Sequence, residues 1–162
     1  MYSCNVPVPA EVSRLARGLA TECYEATPRD RHTLVLKRFG ETEPGAIVGR
    51  VRDALDGVEP FEARTTDIDL FRNPPTGEGP VAYLGIESPA LLEVHDTLCS
   101  LVEPVEGLER EEYDPHVTIA RGGDADRLLG ASTGEGVAWT VDSLLVWGAS
   151  YGEPVRRISL PV

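Results

Sequence analysis

Apolar and polar residues alternate over residues 2–8 (YSCNVPV). Cys4, Val6 and Val8 fall on one side, as a strand with one buried face requires. Pro9 then opens a different period. In AEVSRLARGLATECYEA, Val12, Leu15, Leu19 and Cys23 recur every three to four residues, which predicts an amphipathic helix. TLVLKRF (residues 33–39) is apolar and β-branched enough for a second strand, GETEPG (40–45) is a turn, and AIVGRVRDAL (46–55) is a helix ended by Gly57. FEARTTDIDLF (61–71) alternates as a half-buried strand. The proline and glycine content of RNPPTGEGP (72–80) excludes either element, and VAYLGIE (81–87) is the next strand. A helix starts at Ser88 and Pro89, with Ser88 as its cap, and runs to Val102. HVTIA, from His116, is again a strand, and a short helix is expected over 124–129. Strands over 137–146 and 154–160, joined by WGASYGE, complete the chain.

These elements repeat coarsely. Each half carries strands, a substantial helix, and one strand that begins near a histidine with a threonine close by: RHTLVLKRFG with His32, and PHVTIAR with His116. The two histidines lie 84 positions apart in a chain of 162. A pseudo-twofold pair of α+β lobes is the simplest arrangement that brings two such strands together across a groove, with antiparallel sheets inside and helices outside. Residues 1–162 are expected to form one domain of two interleaved lobes.

Composition narrows the classes. No 18-residue apolar run exists, which argues against a membrane-spanning helix. The first residues, MYSCNVPVPAEV, do not read as a signal peptide, so the cytoplasm is the expected location. Cys4, Cys23 and Cys99 are odd in number and lack metal-like spacing, so they read as small buried hydrophobes. Twenty-seven acidic residues against 15 basic ones give a net charge of −12, and Lys37 is the only lysine. Such a surface suits a cytosol of very high salt, where a Debye length of about 3 Å screens its self-repulsion. The same charge disfavours non-specific capture of long nucleic acid, which depends on neutralising phosphates. A pocket for one phosphate or one RNA end needs only a few local donors.

Two histidines on opposite sides of a phosphorus atom can divide a hydrolysis, one taking a proton from water and the other giving one to the departing oxygen. Thr118 lies two residues after His116 and therefore on the same strand face, where its hydroxyl can bind a non-bridging oxygen. Arg121, just beyond, has a planar fork that matches phosphate. Trp147 and Tyr151 flank a glycine turn and are candidates to stack on a base. Each has a plainer alternative: a histidine fixed by structure, a surface arginine, a core-anchoring aromatic. His95 sits at core spacing on its helix and reads as packing. The carboxylates show no metal-ligand cluster, so the expectation is a reaction without metal or other cofactor.

PHVTIAR at 115–121, with His116 and Thr118 in a His-x-Thr signature, resembles the two-histidine (2H) phosphoesterases. Within them it resembles the group named for 2'-5' RNA ligase and RNA 2',3'-cyclic phosphodiesterase, here a member of halophilic archaeal type. Residues 71–98 are similar to that family's phenylalanine-proline loop with its following strand and histidine-bearing helix, and 141–162 to its closing hairpin. The resemblance spans essentially the whole chain. It implies a bilobal α+β fold and metal-independent hydrolysis of a 2',3'-cyclic phosphate to a 2'-phosphomonoester, with 2'-5' ligation as the other face of the chemistry. It also implies His116 as base and His32 as acid, and an RNA 3' end or a small cyclic phosphate as partner. The protein is expected to act as a monomer away from membranes.

The first copy departs from the pattern. The family places threonine or serine two residues after the histidine and glycine seven after it, whereas Thr33 directly follows His32 and Gly40 lies eight after it. Either a bulge turns Thr33 or His32 into register, or Thr33 has no catalytic role. Two rivals stand beside the RNA reading: a phosphodiesterase for a small cyclic-nucleotide metabolite, and a non-catalytic RNA- or nucleotide-binding protein with a degenerate first motif.

Overall fold

A computed structural model of the chain describes residues 1–40, 43–149 and 152–162. Its elements, in order, are β1 (Tyr2–Val6), α1 (Ala10–Ala20), β2 (Thr27–Pro28), β3 (Leu34–Gly40), α2 (Pro44–Ala54), β4 (Phe61–Phe71), β5 (Val81–Glu87), α3 (Pro89–Cys99), β6 (His116–Arg121), β7 (Ala138–Val141), β8 (Ser143–Gly148) and β9 (Glu153–Ser159). Single 3-10 turns lie at Arg110–Glu112 and Ala125–Leu128. No helix among the described residues is long and apolar enough to cross a membrane.

Two antiparallel sheets form, one ordered β3-β1-β8-β9 and the other β2-β6-β5-β4-β7. The helices cross between them. α1 follows β1 yet packs on β6 of the second sheet, while α3 follows β5 and packs on β3 of the first. This exchange is the pseudo-twofold relation: β1 with β5, α1 with α3, β3 with β6. Alternation assigns one face of each sheet to the core, through Cys4, Leu34, Leu36, Leu144 and Val146 in the first and Ile68, Leu84, Val117 and Ile119 in the second. Each fully buried leucine contributes about 1.5–3 kcal/mol relative to exposure. The opposite faces bear the half-buried Val35, Arg38 and Trp147 on one sheet and His116, Thr118 and Arg121 on the other.

Three elements differ from the sequence expectation. The period-2 run over 137–146 is two strands: β7 pairs with β4 in one sheet and β8 pairs with β1 in the other. Asp142 is the crossing point, its carbonyl accepting the Leu160 N–H at 2.8 Å. The buried parity changes at the crossing, from Val141 in β7 to Leu144 and Val146 in β8. The α1 period extends to Cys23 in sequence, but the helix stops at Ala20. There Asp124 accepts the N–H groups of Tyr24, Glu25 and Ala26, all at 2.8 Å, which holds its carboxyl down at about 2. That tertiary staple takes the donors a longer helix would use and leads the chain into β2, which the sequence did not announce. The expected α3 extension to Val102 also ends early, at Cys99.

His95, at core spacing on α3, is 1% exposed. Its Nδ1–H donates to the Leu36 carbonyl at 2.7 Å, its Nε2 accepts the Arg110 N–H at 3.0 Å, and Tyr113 stacks on it at 3.8 Å. It is a scaffold histidine. Cys4 and Cys99 are buried free thiols, and Cys23 is half-buried.

Candidate functional site

The register of β3 and β6 decides which side chains reach the space between the sheets. On β6, Thr118 pairs with Tyr83 and Ala120 with Ala82, so Ile119 is an extra residue. On β3, Val35 pairs with Asn5 and Lys37 with Cys4, so Leu36 is an extra residue. Each strand thus has a bulge at an equivalent place, which bends it and resets the facing side chains beyond. Matching the bulges pairs Thr118 with Val35, Arg121 with Arg38, and His116 with Thr33. His32 falls one position short of the place that mirrors His116.

A cavity of about 520 Å³ lies against these strands and is lined by His116, Thr118, Arg121, Val35, Arg38 and Tyr113, with loop residues 73–76 and Val105, Gly107 and Leu108 closing it. Its size suits a nucleotide-sized ligand. His116 is held from three sides. Its Nδ1–H donates to the Asp114 carbonyl at 2.8 Å, and Phe71 and Tyr83 meet its ring edge-on at 4.9 and 5.2 Å. Tyr83 in turn stacks on Phe71 at 4.2 Å and donates its hydroxyl to the Asp114 carboxylate at 2.9 Å. Because a carbonyl only accepts, Nδ1 carries the proton and the neutral ring keeps its lone pair on Nε2. Burial lowers the His116 pKa from the ordinary 6.5; the Asp114 carbonyl opposes this and the Arg38 charge adds to it. The imidazole is therefore a neutral base across the neutral range.

Arg121 is partly committed. One Nη1 donates to the carbonyls of Thr76 and Glu78 at 2.7 and 3.3 Å, tying the 72–80 loop to the cavity rim. Gly77 is the residue that permits this: its φ is +76°, and a Cβ there would lie 2.6 Å from that same Nη1.

A second cavity, of about 270 Å³, holds the other candidates. His32, Thr33 and Trp147 line it together with Arg17, Arg31 and Asn5. Burial and the charges of Arg17 and Arg29 lower the His32 pKa. The structure therefore brings His116, Thr118 and Arg121 to one cavity and His32, Thr33 and Trp147 to its neighbour. Tyr151 lies outside the described residues. Sequence reasoning missed Arg38, Tyr113 and the Asp114–Tyr83 support of His116. Arg38 stands to the Leu36 bulge as Arg121 stands to the Ile119 bulge, 83 positions apart, a correspondence that only the strand register fixes. Among the described residues no three His, Cys, Asp or Glu side chains converge as metal ligands.

Two sheets that pass helices to one another and enclose a groove with a backbone-fixed histidine, a threonine and arginines define a phosphoesterase-type α+β architecture. The family profile of the 2'-5' RNA ligase superfamily matches residues 10–150, and the chain belongs to that superfamily, whose members are phosphoesterases. The fold is similar to that of TT0787 from Thermus thermophilus (19% identity, 98% of this chain and 97% of that one, TM-score 0.71). It is also similar to Escherichia coli LigT complexed with ATP (19%, 98% and 96%, 0.68) and to LigT complexed with 3'-AMP (16%, 98% and 96%, 0.61). This is the LigT-like 2H phosphoesterase fold. A search of curated proteins gave no significant match.

Proposed function

We propose that the protein hydrolyses a terminal RNA 2',3'-cyclic phosphate to a 2'-phosphomonoester in the larger cavity, without a metal ion. The observation that carries this is the His116 Nδ1–H bond to the Asp114 carbonyl, which leaves Nε2 as a free base beside Thr118, Arg38 and Arg121. In the step, Nε2 takes a proton from water, the water oxygen bonds to phosphorus, and the bond from phosphorus to the 3' oxygen breaks. Thr118 and the arginines meet the charge on the non-bridging oxygens. The departing 3' oxygen needs a proton, and His32 is the histidine assigned to it. With an RNA 5' hydroxyl in place of water as the nucleophile, the same displacement, in which the bond from phosphorus to the 3' oxygen breaks, joins a 2'-5' linkage, and its reverse cleaves one. The nucleotides held by LigT in its structures support a nucleotide in this groove.

A second reading is favoured by one observation. Val35 stands where the first copy should place a hydroxyl, and His32 lines the neighbouring cavity. On that reading the groove binds an RNA end or nucleotide without turning it over. Oligonucleotides ending in a 2',3'-cyclic phosphate, incubated with EDTA at high KCl, separate the two. Turnover lost in both His32→Ala and His116→Ala supports the paired-histidine step. Turnover lost only in His116→Ala assigns the acid elsewhere, and binding without turnover by folded wild type selects the binding module.

The pH dependence gives an independent check. With the His116 pKa lowered, the base stays competent below the ordinary 6.5, so the acid limb of kcat/KM is expected below that value. Because the Arg38 charge contributes to the lowering, Arg38→Ala is expected to move the limb upward in a pH–rate profile. A limb unmoved in that variant removes Arg38 from the electrostatics of the base.

A further inference from the structure

The smaller cavity has the character of a ligand site in its own right. Arg17 reaches it from the last turn of α1 and Arg31 from the segment before β3. Both side chains are exposed, and among the described residues neither makes a hydrogen bond or ion pair; Arg31 lies 5.8 Å over the Trp147 ring. The one carboxylate on the lining, Asp30, leaves the two guanidiniums in excess. His32 Nδ1 is buried and has no hydrogen-bond partner among the described residues, and a buried polar atom without a partner is destabilising until something bonds to it. A concentration of unpaired cationic donors is also out of keeping with a chain of net charge −12. Trp147 supplies a flat wall for a base or ribose.

The two cavities meet where the chain enters β3. Thr33, just before the strand, lines the smaller one and Val35, two residues on, lines the larger. Two residues of chain span at most about 7 Å, a distance one nucleotide's backbone bridges.

We propose that the smaller cavity is a second phosphate site, formed by Arg17 and Arg31 beside Trp147, which holds the 5' phosphate of the nucleotide whose 2',3' end lies against His116. This rests on the phosphate-binding reading of the larger cavity. It makes the preferred ligand an oligonucleotide end rather than a lone nucleoside cyclic phosphate.

Unreactive probes test it. Adenosine 2'-monophosphate and adenosine 2',5'-bisphosphate would be titrated calorimetrically into wild type, Arg17→Ala, Arg31→Ala and the double variant, at one KCl concentration where circular dichroism shows all four folded. Wild type is expected to bind the bisphosphate about tenfold more tightly or better, since hydrogen bonds to charged groups are the strong ones. The double variant is expected to lose that advantage while binding the monophosphate as wild type does. Equal affinities in wild type, or an advantage that survives the double substitution, overturn the second site and leave the first intact. If neither probe binds, the reading of the larger cavity fails as well.

Discussion

Replacing His116 by alanine is expected to lower turnover of cyclic-phosphate-ended RNA by about 10²–10⁴-fold, the range one positioned acid–base group contributes. The ring is half-buried on the groove face, so its removal leaves the core residues Val117 and Ile119 in place and the variant should unfold as wild type does. Its supports give the prediction a second part. Tyr83→Phe removes the hydroxyl that anchors the Asp114 carboxylate but keeps the ring stacked on Phe71. It should cost less than the histidine itself, mostly in kcat, because the Asp114 carbonyl that fixes Nδ1 remains. Steady-state kinetics of the two variants, with thermal unfolding in parallel, checks both. A His116→Ala enzyme that turns over within threefold of wild type removes this residue from the chemistry.

Lys37→Met is expected to destabilise the fold by about 3–5 kcal/mol, the cost of leaving one member of a buried ion pair alone. Lys37 is the chain's only lysine and is fully buried; its Nζ lies 2.6 Å from Glu109 Oε1. Glu109 also accepts the backbone N–H groups of Val105 and Arg38, so one carboxylate ties the loop that walls the larger cavity to the bulged part of β3. Burial alone would raise the Glu109 pKa, but the Lys37 hydrogen bond and the two backbone N–H groups outweigh it and hold it below the ordinary carboxylate range. The sign follows. A depressed folded pKa means the pair's contribution is present above the unfolded value and is lost as pH falls through the folded one. In the methionine variant the lone carboxylate is the liability, and protonation relieves it. The stability gap to wild type should therefore narrow in acid. Urea unfolding of both proteins at high KCl, at neutral pH and near pH 4, measures this. A gap under 1 kcal/mol at neutral pH would show that water or rearrangement satisfies Glu109 without the lysine. Lys37→Met with Glu109→Leu should fall between, since it removes the charge but leaves two N–H groups without a partner.

Both predictions concern residues whose importance was unequally visible. PHVTIAR announces itself, because a histidine and a threonine two apart on a strand share a face whatever the strand pairs with. Lys37 announces only its rarity. Its burial follows from the Leu36 bulge, which sets Leu36 and Lys37 on the same core side and returns Arg38 to the groove.

By itself the sequence determined the element types, because alternation and the three-to-four-residue period are local consequences of backbone geometry. It also determined the second motif, the acidic and lysine-poor surface, and the core placement of His95. Tertiary structure alone decided the rest. At Asp142 a stretch that reads as one strand passes from one sheet to the other, since period two encodes a face and not a partner. Asp124 ends α1 from about a hundred residues away. The bulges at Leu36 and Ile119 set the match between the copies, Val35 with Thr118 and Thr33 with His116, so that His32 falls one position short, and a one-residue offset on a strand reverses the face.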